Sequence, residues 1–230
     1  LTTSLIWDGN KGKTSTVLFN GGTLKANGVF STSWPAIIAD KANITVNVGA
    51  NGGTIDASGF NIQVARPIAA EGANDGGMTF KGGGSVSLKY ASTYTGATKI
   101  ELGTKIIATT ADAKASVLKN LVVTGFAADG DYYVFESSGL TDADLANVTC
   151  PSGAEGATIT CDGNQIKVHY VAPAVDLGWN GGDAAWATAN AWTNATGTAK
   201  TWTDGNYAVF NDASIVTLGA NATAVSATFN

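Results

Sequence analysis

Few residues in this chain are of types that do chemistry, and their spacing limits what they can do. His169 is the only histidine among 230 residues, so a multi-histidine metal site is excluded. It lies in the alternating run Lys167-Val168-His169-Tyr170, which makes it an outward strand residue rather than the base of a Ser-His-Asp or Cys-His pair. Asp142 and Asp144 follow Thr141 at a helix-start pattern, where carboxylates favour the helix dipole, and nothing marks them as a glycosidase pair. Arg66 is the sole arginine, and Arg66-Pro67 superficially resembles the basic site of a polysaccharide lyase. The six tryptophans are Trp7, Trp34, Trp179, Trp186, Trp192 and Trp202. Exposed indoles stack on sugar rings, so Trp179, Trp186, Trp192 and Trp202 are candidate glycan contacts; the alternative is that they are core residues. No catalytic, metal-binding or cofactor-binding residue is assigned, and the chain is expected not to be an enzyme.

Cys150 and Cys161 flank the turn-rich stretch Pro-Ser-Gly-Ala-Glu-Gly, with strand-like residues on either side. A disulfide closing that hairpin would stabilise by about 2–3 kcal/mol, and it is the expected state in a secreted protein. Two free thiols are the alternative. Without further Cys or nearby His the pair makes a poor zinc site.

The elements that must position these residues are short and glycine-cut. Glycine numbers 29, charged residues are only 13%, and apolar residues at 44% suffice for a core. Thr, Val and Ile suit a pleated, half-buried surface. A net charge of −5 with scattered lysines supplies no basic stripe for nucleic acid. No run of apolar residues is long enough to span a membrane as a helix.

Ile44-Thr45-Val46-Asn47-Val48 and Thr98-Lys99-Ile100-Glu101-Leu102 alternate apolar and polar residues between glycines, a strand signal. The residue after each glycine group falls at Thr23, Thr54, Ser85 and Thr104, in steps of 31, 31 and 19. Such recurrence predicts an all-β solenoid whose rounds bury their faces on one another. Asp-Gly-Asn recurs at Asp8, Asp162 and Asp204 as turn chemistry.

The texture divides the chain into three parts. Residues 1–108 carry the solenoid pattern. Residues 109–172 continue it with a stretch from Ala111 to Leu121 that reads as a short helix or a loose coil, an apolar strand Tyr132-Tyr133-Val134-Phe135, and the hairpin. Residues 173–230 begin a second, Trp-rich β unit after Ala172-Pro173-Ala174.

Gly82-Gly83-Gly84-Ser85-Val86-Ser87-Leu88, Tyr94-Thr95-Gly96-Ala97-Thr98 and Leu102-Gly103-Thr104 together resemble the autotransporter-associated β-strand repeat, or passenger-associated transport repeat. The upstream Gly52-Gly53-Thr54-Ile55-Asp56 and Pro67-Ile68 resemble the segment before that repeat, so the likeness covers roughly residues 17–108. It departs at Lys105, where the family has Leu, and at Lys89-Tyr90, where it has Ser-Gly. Trp179-Asn180-Gly181-Gly182 through Phe210 is similar to the Trp-rich opening of units in large surface proteins of Gram-negative bacteria. The resemblance implies a right-handed parallel β-helix exported to the bacterial cell surface.

On this basis the chain is expected to be a structural or adhesive segment, without a cofactor. Strand-like runs at both ends, Leu5-Ile6-Trp7 and Ala224 to Phe229, suggest self-association through terminal strands into filaments. Host or matrix glycans are the other partners to consider. A Trp-based glycan-binding module and a polysaccharide lyase are the alternative functions.

Overall fold

Alternation such as Ile44-Thr45-Val46-Asn47-Val48 turns one set of side chains inward and the other out, and the structure follows that period. The computed structural model describes residues 1–7, 13–29, 35–125, 130–150 and 157–170, with shorter pieces between 176 and 229. The protein is mostly β-strand, with few helices. It forms two compact units, Leu1–Ala172 and Pro173–Asn230.

The first unit opens with strands β1 (Thr2–Thr3), β2 (Ser15–Phe19), β3 (Thr23–Ala26), β4 (Ala36–Ile38), β5 (Ile44–Val48) and β6 (Gly53–Asp56). It continues with β7 (Asn61–Val64), β8 (Ile68–Ala70), β9 (Met78–Lys81), β10 (Gly84–Leu88), β11 (Thr98–Glu101) and β12 (Thr104–Ala108). Helix α1 (Ala111–Leu118), β13 (Leu121–Thr124), β14 (Gly130–Glu136), a 3-10 turn at Asp142–Asn147, β15 (Val148–Thr149), β16 (Thr158–Asp162) and β17 (Gln165–Tyr170) complete it.

These strands form three sheets, ordered β1-β3-β6-β9-β11-β13-β15, β16-β17-β14-β12-β10-β7-β4, and β2-β5-β8. From β3 to β8 the chain visits the first, second and third sheet in rotation, and every pairing there is parallel. On the third side strands then give way to other structure. Ser92 and Thr93 bond to Ile68, and the Ser92 N–H donates to Ser116 Oγ of α1 at 3.1 Å. The helix forms because Ala-Asp-Ala-Lys-Ala-Ser-Val-Leu favours it, and the Thr110 hydroxyl caps it by accepting from Ala113 N at 3.1 Å.

Register corrects the expected spacing. Thr23, Thr54, Thr79 and Lys99 are direct neighbours on the first sheet, so successive rounds take 31, 25 and 20 residues. Ser85 and Thr104 lie on the second sheet instead. The glycines mark two different corners. By that register Gly77-Met78, not Gly82-Gly83-Gly84, lies beside Gly52-Gly53.

Inward residues stack in line. Leu24, Ile55, Phe80, Ile100 and Val123 form one ladder on the first sheet, all buried. Each such side chain stabilises by roughly 1.5–3 kcal/mol relative to exposure. Outward, Lys25, Asp56 and Lys81 alternate in sign, because a parallel register puts each charge beside its counterpart on the next strand. Lys25 Nζ lies 3.6 Å from Asp56.

Asp75 ties a corner together. Its Oδ1 accepts from the Gly77 and Gly96 N–H groups at 2.9 and 2.8 Å, and its Oδ2 from Thr95 N and Oγ1 at 2.5 and 2.8 Å. Burial opposes its ionisation, but these donors outweigh it and hold its pKa below the ordinary 3.8. A carboxyl with a lowered folded pKa adds stability that is complete above its unfolded pKa and fades as pH falls through the folded one. Asp75→Ala is therefore expected to cost about 1–3 kcal/mol at neutral pH. In urea titrations the gap from the parent should narrow below pH 3.8. A gap independent of pH contradicts the ionic role.

At its far end the second sheet turns antiparallel: β14 pairs with β17, and β17 with β16. The β16–β17 hairpin is closed by Gly163-Asn164, with Gly163 at φ +62 as the first residue of a two-residue loop. Of the predicted Asp-Gly-Asn turns, Asp162 starts this one, while Asp8 and Asp204 lie outside the described residues. The hairpin therefore follows Cys161 rather than spanning Cys150 to Cys161, because β15 belongs to the first sheet and β16 to the second.

In the second unit β18 (Asp176–Trp179), β19 (Ala184–Ala185), β20 (Trp192–Thr193), β21 (Ala199–Lys200), β22 (Tyr207–Phe210), β23 (Val216–Thr217) and β24 (Ala227–Phe229) follow. They form a sheet ordered β21-β20-β18-β22-β24 and the pair β19-β23.

Candidate functional site

The tryptophans of the second unit pack on one another. Trp192 is wholly buried and Trp179 is 5% exposed, while Trp186 and Trp202 are half-buried. The Trp192 ring centroid lies 5.0, 4.8 and 4.6 Å from those of Trp179, Trp186 and Trp202, and Phe210 closes the cluster. Trp192 Nε1 donates to the Trp186 carbonyl at 3.0 Å. Such contacts make these rings the core of their unit, and the buried Trp179 and Trp192 present no face to a sugar. This corrects the expectation of a shared glycan platform: spacing in sequence does not reveal which side of a strand packs. In the first unit Trp7 is exposed, with the Lys41 ammonium 3.9 Å above its ring. Trp34 lies outside the described residues.

Cys150 and Cys161 are free thiols, not the expected bridge. Each is half-buried, and each thiol pKa is raised by burial, with Asp142 and Asp144 adding to the effect at Cys161. The expectation rested on a hairpin joining them, whereas Cys161 stands opposite Ile166 on β17. Mass spectrometry of unreduced protein is expected to show both thiols alkylated at neutral pH. A mass corresponding to loss of two hydrogens, with no alkylation, would restore the bridge.

His169 is exposed on β17, and its Nδ1 lies 2.7 Å from Asp131 Oδ1 on the paired strand. Lys167 lies 3.3 Å from the same carboxylate, and together His169 and Lys167 lower the Asp131 pKa. Asp142 and Asp144 sit in the first turn of the 3-10 helix, as their sequence position implied. Asp144 accepts from the Thr141 N–H at 2.9 Å and pairs with Lys114 at 3.2 Å. Asp144 is therefore held in structural contacts.

A charged cluster missed by motif reasoning lies at the corner between the second and third sheets. Lys89 Nζ is 2.5 Å from Asp40 Oδ2, and the Tyr90 hydroxyl donates to the same oxygen at 3.0 Å. Arg66 Nε donates to the Ile44 carbonyl at 2.9 Å, and its Nη1 stands 4.0 Å from Asp40 Oδ1. With its Nε bonded to the backbone, Arg66 anchors the corner. The hydrogen bond from Lys89 is the main reason the Asp40 pKa is lowered, and Asp40 in turn raises that of Lys89. The available signal was the departure from the repeat pattern at Lys89-Tyr90. Asp40, some fifty residues upstream, carried none.

Among the described residues no group of three His, Cys, Asp or Glu is placed to hold a metal, and no helix is long and apolar enough to cross a membrane. The chain matches no family model, no curated protein and no solved structure.

Proposed function

We propose that the chain is a structural and adhesive segment of an exported bacterial surface protein, its first unit a right-handed parallel β-helix. The observation that carries this reading is the in-register ladder Leu24, Ile55, Phe80, Ile100 and Val123, one residue from each successive round. A chain that wraps this way adds length and core together, which suits a stiff spacer. The residues that carry the resemblance to the passenger repeat hold the corners. Tyr94 is wholly buried, its hydroxyl 2.6 Å from Thr98 Oγ1, and burial pushes its pKa up to about 12. The buried Thr104 Oγ1 accepts from Gly83 N at 2.9 Å.

Antibodies raised against the chain should label intact cells of the source bacterium. Labelling only after permeabilisation contradicts export. Self-association is part of the same reading: β1 and β24 each lie at the edge of a sheet, where a second copy can add a strand. Such head-to-tail contacts propagate as filaments unless they close. Light scattering is expected to show mass rising with concentration. A constant monomer mass rules out filaments.

A further inference from the structure

We infer that a groove on the outer face of the second sheet binds an acidic polysaccharide, the Lys89–Asp40–Arg66 cluster receiving a sugar carboxylate. This goes beyond the structural role and does not depend on it. Two adjoining hollows share Pro35. One lies against Ala39, Asp40, Gln63 and Lys89, and the other against Val29, Phe60, Asn61 and Ser87.

Polar side chains of the second sheet stand among the apolar lining of the groove. Asn61 and Gln63 are alternate outward residues of β7, so they stand about 7 Å apart along the strand. Ser87 is the direct neighbour of Gln63 on β10. Amides and hydroxyls fixed on a sheet offer donors and acceptors to sugar hydroxyls, and their order is set before binding. The half-buried Phe60 edges the second hollow, and Tyr90, 37% exposed, stands beside the cluster. Aromatic rings of this kind suit the apolar faces of pyranose rings.

Charge selects the class of sugar. Two fixed cations share one carboxylate at this corner, leaving a net positive charge. The 4.0 Å separation of Arg66 Nη1 from Asp40 exceeds hydrogen-bond distance, so the guanidinium has donors left for a second carboxylate. The rest of the chain is net negative, so a polyanion is held here and repelled elsewhere. Lys89 and Tyr90 stand where the repeat family has Ser-Gly, and both turn to Asp40, which is how this chain acquires the cluster.

Isothermal titration of the full chain with polygalacturonate, dextran and duplex DNA tests the inference. Polygalacturonate is expected to bind, dextran and DNA to bind at least about tenfold more weakly, and the affinity to fall in about 0.5 M salt. Lys89→Glu should reduce binding at least about tenfold with the circular dichroism spectrum unchanged. If that variant does not fold, Gln63→Ala supplies the readout, with a loss of several-fold. No binding, equal binding of dextran or DNA, or undiminished binding by the folded variant overturns the assignment.

Discussion

Replacing Gly77 by valine is expected to destabilise the first unit by at least about 3 kcal/mol, a fall of roughly 6–12 °C in melting temperature. Two independent effects add. Gly77 has φ +72, a conformation that a β-branched residue adopts only under strain. Any Cβ there would also lie 2.2 Å from the Ala97 carbonyl oxygen. That oxygen belongs to the backbone and accepts from Met78 N at 3.0 Å, so no rotamer change relieves the clash without breaking the ladder. Gly72, five positions upstream, is the internal control. It has no positive φ and no atom within 4 Å of an added Cβ, so Gly72→Val should change stability by about 0.5 kcal/mol or less. Thermal melts followed by circular dichroism compare the two variants. Equal effects at both positions overturn the argument that close backbone approach at this corner sets the register.

The second large effect is expected at Phe80. Its side chain is wholly buried between Ile55 and Ile100 in the first-sheet ladder. Phe80→Ala removes most of that ring and leaves a cavity that close-packed neighbours only partly fill, at a cost of about 3–5 kcal/mol. Phe80→Leu retains more of the volume and should cost distinctly less. Tyr133 gives the contrast: it is 42% exposed on β14, and its hydroxyl meets Asp162 at 2.8 Å in solvent, so Tyr133→Ala should cost about 1 kcal/mol or less. Chemical unfolding of the three variants decides the matter. A Phe80→Ala cost near that of Tyr133→Ala shows that the ladder is not the seat of stability.

Much of this architecture is legible in local pattern because the strand period is two. Ile44-Thr45-Val46-Asn47-Val48 buries Ile44, Val46 and Val48, and Thr104-Lys105-Ile106-Ile107-Ala108 buries Thr104, Ile106 and Ala108, as alternation requires. The helical turn after Thr141 was legible for the same kind of reason, since capping acts over a few residues, whereas Ala111 to Leu121 read as either a short helix or a loose coil and the structure makes it α1. Outward placement of His169 followed from its alternating neighbours.

What local pattern does not carry is which strand lies beside which. Taking Ser85 as the counterpart of Thr54 treated two corners as one, because glycine serves a sharp bend wherever it occurs and does not name the bend. Only pairing shows that Thr79 lies beside Thr54 and that Gly77 packs against Ala97. Cys150 and Cys161 are separated by few residues, yet Cys150 follows β15 of the first sheet and Cys161 lies on β16 of the second, so their nearness in sequence did not specify a bridge.

The amino-acid sequence by itself determined a mostly β protein with short glycine-bounded strands, because these follow from side-chain period, turn residues and composition. The tertiary structure alone decided the lengths of the rounds, the burial of the tryptophans and the meeting of Asp40 with Lys89 across 49 residues. Those depend on which surfaces face one another after the chain has wrapped, and a side chain's exposure and partners are properties of that packing rather than of its neighbours in sequence.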